Sequence, residues 1–184
     1  MKCILRIALA FLLSIGLLSC HEKAGLANKA VAIPLTFQAK VTGIKDGDTY
    51  NVLYNSQELT IRLAHIDCPE KKQPFSVQAK QFASALCFGR EVTVKTAGKK
   101  DRYGRLIGEI ILSNGTNVNK ELVKNGLAWH FKKYSSSEEY AKLEVQARNL
   151  HIGLWVDTMP IAPWEWRHPS RNVLVNYASV VGSR

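Results

Sequence analysis

The stretch IRLAHIDCPE, Ile61 to Glu70, decides the fold and poses the functional question at once. Its first half alternates apolar and polar side chains, with Ile61 and Leu63 on one side and Arg62 on the other, the two-residue period of a strand that buries one face. It then ends at a proline flanked by Asp67 and Glu70. The chain as a whole is basic, 25 Lys and Arg against 15 Asp and Glu for a formal charge of +10. Two carboxylates gathered beside Arg62 at the mouth of a strand therefore need a reason.

Reading outward, strand patterns crowd the N-terminal side of this stretch. Thr36 to Ile44 alternates around Phe37, Ala39 and Val41, Thr49 to Tyr54 continues, and Asn55-Ser56 is a turn before the strand Leu59 to Ile66. The simplest arrangement is three consecutive antiparallel strands. On the C-terminal side, PFSVQAKQFASALCFG repeats apolar residues at helical spacing and stops at Gly89. Strands follow at Glu91–Ala97 and Leu106–Leu112, around the polar loop GKKDRYGR. A short helix from Val118 to Asn125 comes next. In the last helix Ser136 and Glu139 have capping-box spacing, and Tyr140, Leu143, Ala147 and Leu150 make an apolar stripe. The fold class expected is α+β, mainly β: a small closed barrel of five strands with three helices, five strands being the number of an OB-fold.

The ends read differently. MKCILRIALAFLLSIGLLSC sets Lys2 and Arg6 before an apolar run too short to cross a bilayer comfortably, the pattern of a signal peptide over residues 1–19. Leu17-Leu18-Ser19-Cys20 resembles a bacterial lipobox, so Cys20 is the expected lipidation site and residues 20–34 a tether. The protein is then an exported lipoprotein anchored at the cell envelope, or a secreted protein if cleavage falls elsewhere. Loss of residues 1–19 removes Lys2 and Arg6 and no acid, leaving +8. The domain expected spans residues 35–158, with residues 159–184 as an extension. The tryptophans of PIAPWEWRHP are expected to pack that extension across the domain as an extended strap. Cys68 and Cys87 could be paired in an exported chain or free, and spacing does not decide. The five histidines lack metal-ligand spacing, which argues against zinc.

The acids carry the chemistry. Asp46 and Asp48 lie in IKDGDTY between the first two strands, and Asp67 and Glu70 follow the third. Pairing around Asn55-Ser56 sets the start of one strand beside the end of the other and so brings Asp48 near Asp67. Carboxylates this close raise one another's pKa unless a cation lies between them, and a hard divalent ion is the economical choice. The Asp-x-Asp spacing is no EF-hand, since Asn51 and Gln57 occupy the positions that need Gly and Glu. Arg62 and Arg105 supply guanidinium forks for a phosphate, and Glu70 is the acid left to handle water.

VTGIKDGDTYNV, IRLAHIDCPE, DRYGR and NGLAWHFKKY, in this order, resemble the staphylococcal nuclease (thermonuclease) family, and the resemblance runs from about Phe37 to Trp155. It implies an OB-fold barrel, a bound Ca2+ and hydrolysis of DNA and RNA to 3′-phosphate products. By matching position it implies calcium ligation by Asp48, Asp67 and the carbonyl of Cys68, phosphate binding by Arg62 and Arg105, and a general-base or water-positioning role for Glu70. Arg102, Tyr103 and Tyr134 would contact the nucleotide, with Lys71, Lys72, Lys99, Lys100, Lys132 and Lys133 nearby and Trp129 available for stacking. Cys68 stands where the best-known member has threonine, and Lys132 replaces one of two tyrosines expected near the nucleotide. No protein partner is evident, and a monomer is expected. A second reading, of another class, is an OB-fold nucleic-acid-binding lipoprotein without catalysis. It gives no use for Asp48, Asp67 and Glu70, because carboxylates repel phosphate when no metal intervenes.

Overall fold

The computed structural model describes residues 33–169. The signal peptide, Cys20 and most of the expected tether lie outside these residues, as does the chain beyond residue 169. Five strands, β1 (Thr36–Ile44), β2 (Thr49–Tyr54), β3 (Gln57–Leu63), β5 (Glu91–Lys100) and β6 (Leu106–Ile111), close into a barrel in the order β1-β2-β3-β6-β5. Every neighbouring pair is antiparallel except β3 with β6. This is the expected OB-type barrel, and its closure gives each of these five strands a partner on both sides.

Alternation builds the core. Phe37, Ala39 and Val41 of β1 point inward, joined by Tyr50 and Val52 of β2, Ile61 of β3, Val92 and Val94 of β5 and Ile110 of β6. Each large apolar side chain buried here contributes about 1.5–3 kcal/mol relative to exposure. The helices α1 (Ser76–Cys87), α2 (Val118–Lys124) and α3 (Glu138–Asn149) add Ala79, Ala83, Leu122, Val123 and Tyr140 to the same core. Cys68 and Cys87 are both buried and free.

The β2-β3 hairpin does what the sequence predicts. Asn55 and Ser56 adopt φ of 47° and 62°, the left-handed pair that matches strand twist in a two-residue turn. The register that follows sets Thr49 opposite Arg62.

Four local expectations are corrected. The strand read as Leu59 to Ile66 breaks at Ala64-His65, where His65 takes φ 68°. Beyond the break, β4 (Ile66–Asp67) leaves the barrel and pairs with β7 (Trp129–His130). The Ser136–Glu139 capping box does not form: α3 begins after Ser137, which makes no side-chain cap bond, and Glu139 instead pairs with Lys120 at 2.7 Å. Leu150 is exposed, and the buried face of α3 includes Glu144, whose charge meets Lys132 and Arg148. The segment read as an extended strap contains one helical turn, α4 (Pro163–Arg167), with proline at its start. Ala162 just before it is buried, and Trp164 stacks on Phe131 at 5.2 Å and meets Trp129 edge-on at 5.5 Å.

Candidate active site

Hairpin register and the β3 break together assemble the acids. Asp48 immediately precedes β2, and its carbonyl accepts the amide of Leu63, tying the start of β2 to the end of β3. Asp46 Oδ1 accepts the Asp48 amide at 3.1 Å, a turn that aims the Asp48 carboxylate back toward β4. There Asp48 Oδ2 accepts the Cys68 amide at 2.6 Å. Gly47 makes the approach feasible, because a Cβ at this position would lie 2.7 Å from Cys68 Sγ and 2.9 Å from Ala79 Cβ. The DGDT segment is thus a turn and a site element at once.

Arg62 lies between the two aspartates. Its Nη2 is 2.7 Å from Asp67 Oδ1 and 3.3 Å from Asp48 Oδ2, while Nη1 donates to the carbonyls of Leu63 and Ile66. The guanidinium therefore braces the strand break and neutralises part of the acid pair. Burial alone would lower its pKa, but Asp48 and Asp67 outweigh that and raise it. Asp48 is pushed up from 3.8 to about 7, chiefly by burial, with Asp46 and Asp67 adding to the rise and Arg62 opposing it. Burial likewise drives the Cys68 thiol well above its ordinary value, so it stays protonated.

Arg105 approaches from the loop between β5 and β6. Asp101 holds it from behind through Nε and Nη2, both at 2.7 Å, while Nη1 points to Thr49 Oγ1 at 3.2 Å. Partial burial favours protonation of Asp101, yet hydrogen bonds from Arg105 and from the backbone of Tyr103 and Arg105 bring its pKa below the usual value. Tyr103 stands exposed beside this arginine, its hydroxyl accepting from Arg102 at 2.6 Å. Tyr134 is exposed too, its ring edge-on to Phe131. Trp129 also lines the cleft but is buried, with Trp155 and Trp164 packed against it at steep angles and the Arg148 guanidinium 4.8 Å from its ring centroid, so it is far less accessible to a base than Tyr103 or Tyr134.

One open cleft is lined by Asp48, Asp67, Cys68, Arg62, Glu70, Arg105, Arg102, Tyr103 and Tyr134. The structure thus brings the acids, the arginines, Cys68 and the two exposed tyrosines to one cleft. Of the nearby lysines, Lys99, Lys132 and Lys133 share the cleft, and Lys71, Lys72 and Lys100 do not line it.

Two residues escape sequence reasoning. Arg167, at the end of α4, donates from Nη2 to Asp67 Oδ2 at 2.8 Å and from Nη1 to Glu70 Oε1. Gln73 is buried, accepts the Glu70 amide at 2.8 Å and donates to the Ile161 carbonyl at 2.6 Å. No spacing signal reaches across the hundred positions from Asp67 to Arg167.

The chain matches the family model for staphylococcal nuclease homologues over residues 60–157. It belongs to the staphylococcal nuclease family. Among relatives, an "Uncharacterized endonuclease" of Escherichia coli O157:H7 is 39% identical over 129 residues, which span 70% of this chain and 84% of the relative. A "Micrococcal nuclease" of Shigella flexneri is 38% identical over 146 residues, 74% of this chain and 83% of that protein. The "Staphylococcal-like nuclease CAN1" of Arabidopsis thaliana is 40% identical over 118 residues, 63% of this chain and 35% of the plant protein. As a member of the staphylococcal nuclease family the chain is a nuclease-type hydrolase in which the OB-type barrel carries the cleft.

Proposed function

We propose that the protein is a calcium-dependent phosphodiesterase that cuts DNA and RNA internally and leaves 3′-phosphate ends. The observation that carries this is the convergence of two buried carboxylates, Asp48 and Asp67, on the cleft wall with Arg62 and Arg105 in the same cleft. The donor set suits a hard cation: two carboxylates and the Cys68 carbonyl are all oxygen, and the buried thiol stays protonated. Burial is the main cause of the raised pKa of Asp48, and since Arg62 and Arg167 take the two oxygens of Asp67, a bound cation would replace a guanidinium there. Among the described residues no three acidic, His or Cys side chains form a ready cage, so the ion would rely on carbonyl and water oxygens as well as Asp48 and Asp67. When bound, calcium would polarise the phosphate and offset its growing charge.

The remaining work falls to the chain. Arg105 and Arg62 would meet non-bridging oxygens of the scissile phosphate and stabilise the extra charge of the pentacoordinate state, Arg62 by exchanging its Nη2 contacts to Asp48 and Asp67 for phosphate oxygens. Asp101 fixes Arg105 so that little reorganisation is needed. Glu70, on the rim beyond β4, orients a water and receives its proton as the water oxygen bonds to phosphorus. The bond to the 5′ oxygen breaks, that oxygen takes up a proton, and the phosphate stays on the 3′ side. Tyr103 and Tyr134 offer exposed rings to bases without reading sequence.

Purified protein should degrade both nucleic acids with calcium and stop when a chelator is added. Tight binding without cleavage would favour the non-catalytic reading. We further propose export and anchoring through Cys20 as a monomeric lipoprotein, on the strength of the N-terminal pattern; radiolabelled fatty acid incorporated by wild type and lost in Cys20→Ala would test it.

A further inference from the structure

We propose that Arg167 is a positioning residue of the site, supplied by the C-terminal segment, which holds the Glu70 carboxylate in the orientation that water activation requires. The proposal rests on the phosphodiesterase reading above and adds a residue to it. A glutamate on a loop has three rotatable side-chain bonds, and an unrestrained carboxylate spends little time in any one pose. Here a guanidinium takes Glu70 Oε1 through Nη1 and Asp67 Oδ2 through Nη2, so one rigid fork sets the two acids relative to each other. Since Arg167 takes Oε1, Oε2 is the oxygen assigned to the water.

The fork is itself held from two directions. Trp164, three positions before Arg167, is stacked on Phe131 with the ring planes 1° apart. Gln73 binds the Glu70 amide through its oxygen and the Ile161 carbonyl through its nitrogen. One buried glutamine thus couples the backbone that carries Glu70 to the backbone that carries Arg167. A surface ion pair between unanchored side chains would do little; this one is bidentate, shares a buried aspartate, and has its donor and acceptor segments clamped together.

A double-mutant cycle on the full chain tests the proposal, with kcat and KM measured on DNA in calcium for wild type, Arg167→Met, Glu70→Gln and the double variant. Arg167→Met should lower kcat by roughly 10²-fold, the scale of a misplaced catalytic group, with KM within about twofold. Arg167→Lys should recover part of the loss. In the Glu70→Gln background the same change should cost less than about threefold, because the effect passes through Glu70. Should Arg167→Met fail to fold, Arg167→Lys completes the cycle. Losses that multiply across the cycle, or an Arg167→Met enzyme with wild-type turnover, would overturn the role of Arg167 while leaving the nuclease reading intact. Calcium calorimetry adds a readout independent of turnover: tightening of more than about tenfold in Arg167→Met without loss of kcat would make Arg167 a competitor of the cation and overturn the proposal. A wild-type protein inert with calcium overturns the phosphodiesterase reading, and this role with it.

Discussion

The two walls of the cleft are built on different principles. On one, Asp48, Asp67 and Arg62 sit at strand ends, are mostly buried and are fixed by backbone register, hydrogen bonds to main-chain groups and one another. On the other, Tyr103 and Tyr134 stand on loops with 67% and 72% of their surface exposed. The barrel thus preorganises the charges that meet a phosphate, which every nucleotide presents alike, and leaves the base contacts to adaptable rings. Chemistry should be sensitive to small changes on the first wall, and affinity should respond modestly to changes on the second.

Glu70→Gln should lower kcat by about 10³-fold with KM little altered, as expected for a lost general base; near wild-type turnover would remove Glu70 from the mechanism. Arg62→Ala or Arg105→Ala should each cost on the order of 10²-fold. Gly47→Ala tests the rigidity of the first wall, since its Cβ would meet Cys68 Sγ at 2.7 Å. Overpacking of this kind costs typically 1–3 kcal/mol, measurable as a lower midpoint in chemical denaturation. Tyr103→Ala or Tyr134→Ala should raise KM by about tenfold, near the value of one stacking contact, and leave kcat in place. A larger kcat effect from either tyrosine than from Arg62 would collapse the distinction between the walls.

The smallest effect is one of pH. Asp48 has a folded pKa of about 7 against an ordinary 3.8, so folding favours its protonated form. Its contribution to stability is complete below about pH 4 and lost as pH rises through about 7. The metal-free protein should therefore melt a few degrees higher at pH 5 than at pH 8, and Asp48→Asn should flatten that difference. A wild-type slope of opposite sign would show that the pairing with Arg62 outweighs burial.

The first wall was legible from sequence and the strap was not. Alternation in β1 to β3 and the Asn55-Ser56 turn are local signals, and once the hairpin register is set, the proximity of Asp48 to Asp67 follows. The break at His65 escaped because its cause is tertiary: the His65 carbonyl accepts the Phe131 amide at 2.8 Å and its ring contacts Ser135 at 2.9 Å, partners some 70 residues away. The capping box failed because α3 starts one residue later than its spacing requires, with Ser137 rather than Ser136 at the N-cap, and Glu139 pairs with Lys120 on α2. Trp129 read as a stacking platform since composition cannot show that Trp155 and Trp164 enclose it. Arg167 carried no local signal, and only the docking of α4 brings it to Glu70.

Calorimetric titration of metal-free wild type and Asp67→Asn with calcium most directly tests whether Asp48 and Asp67 share one divalent ion. One site should appear in the wild type and weaken by at least about 10²-fold in the variant, as the removal of an inner ligand requires. Equal affinity in the two proteins, or cleavage by wild type that persists in excess chelator, would contradict the account.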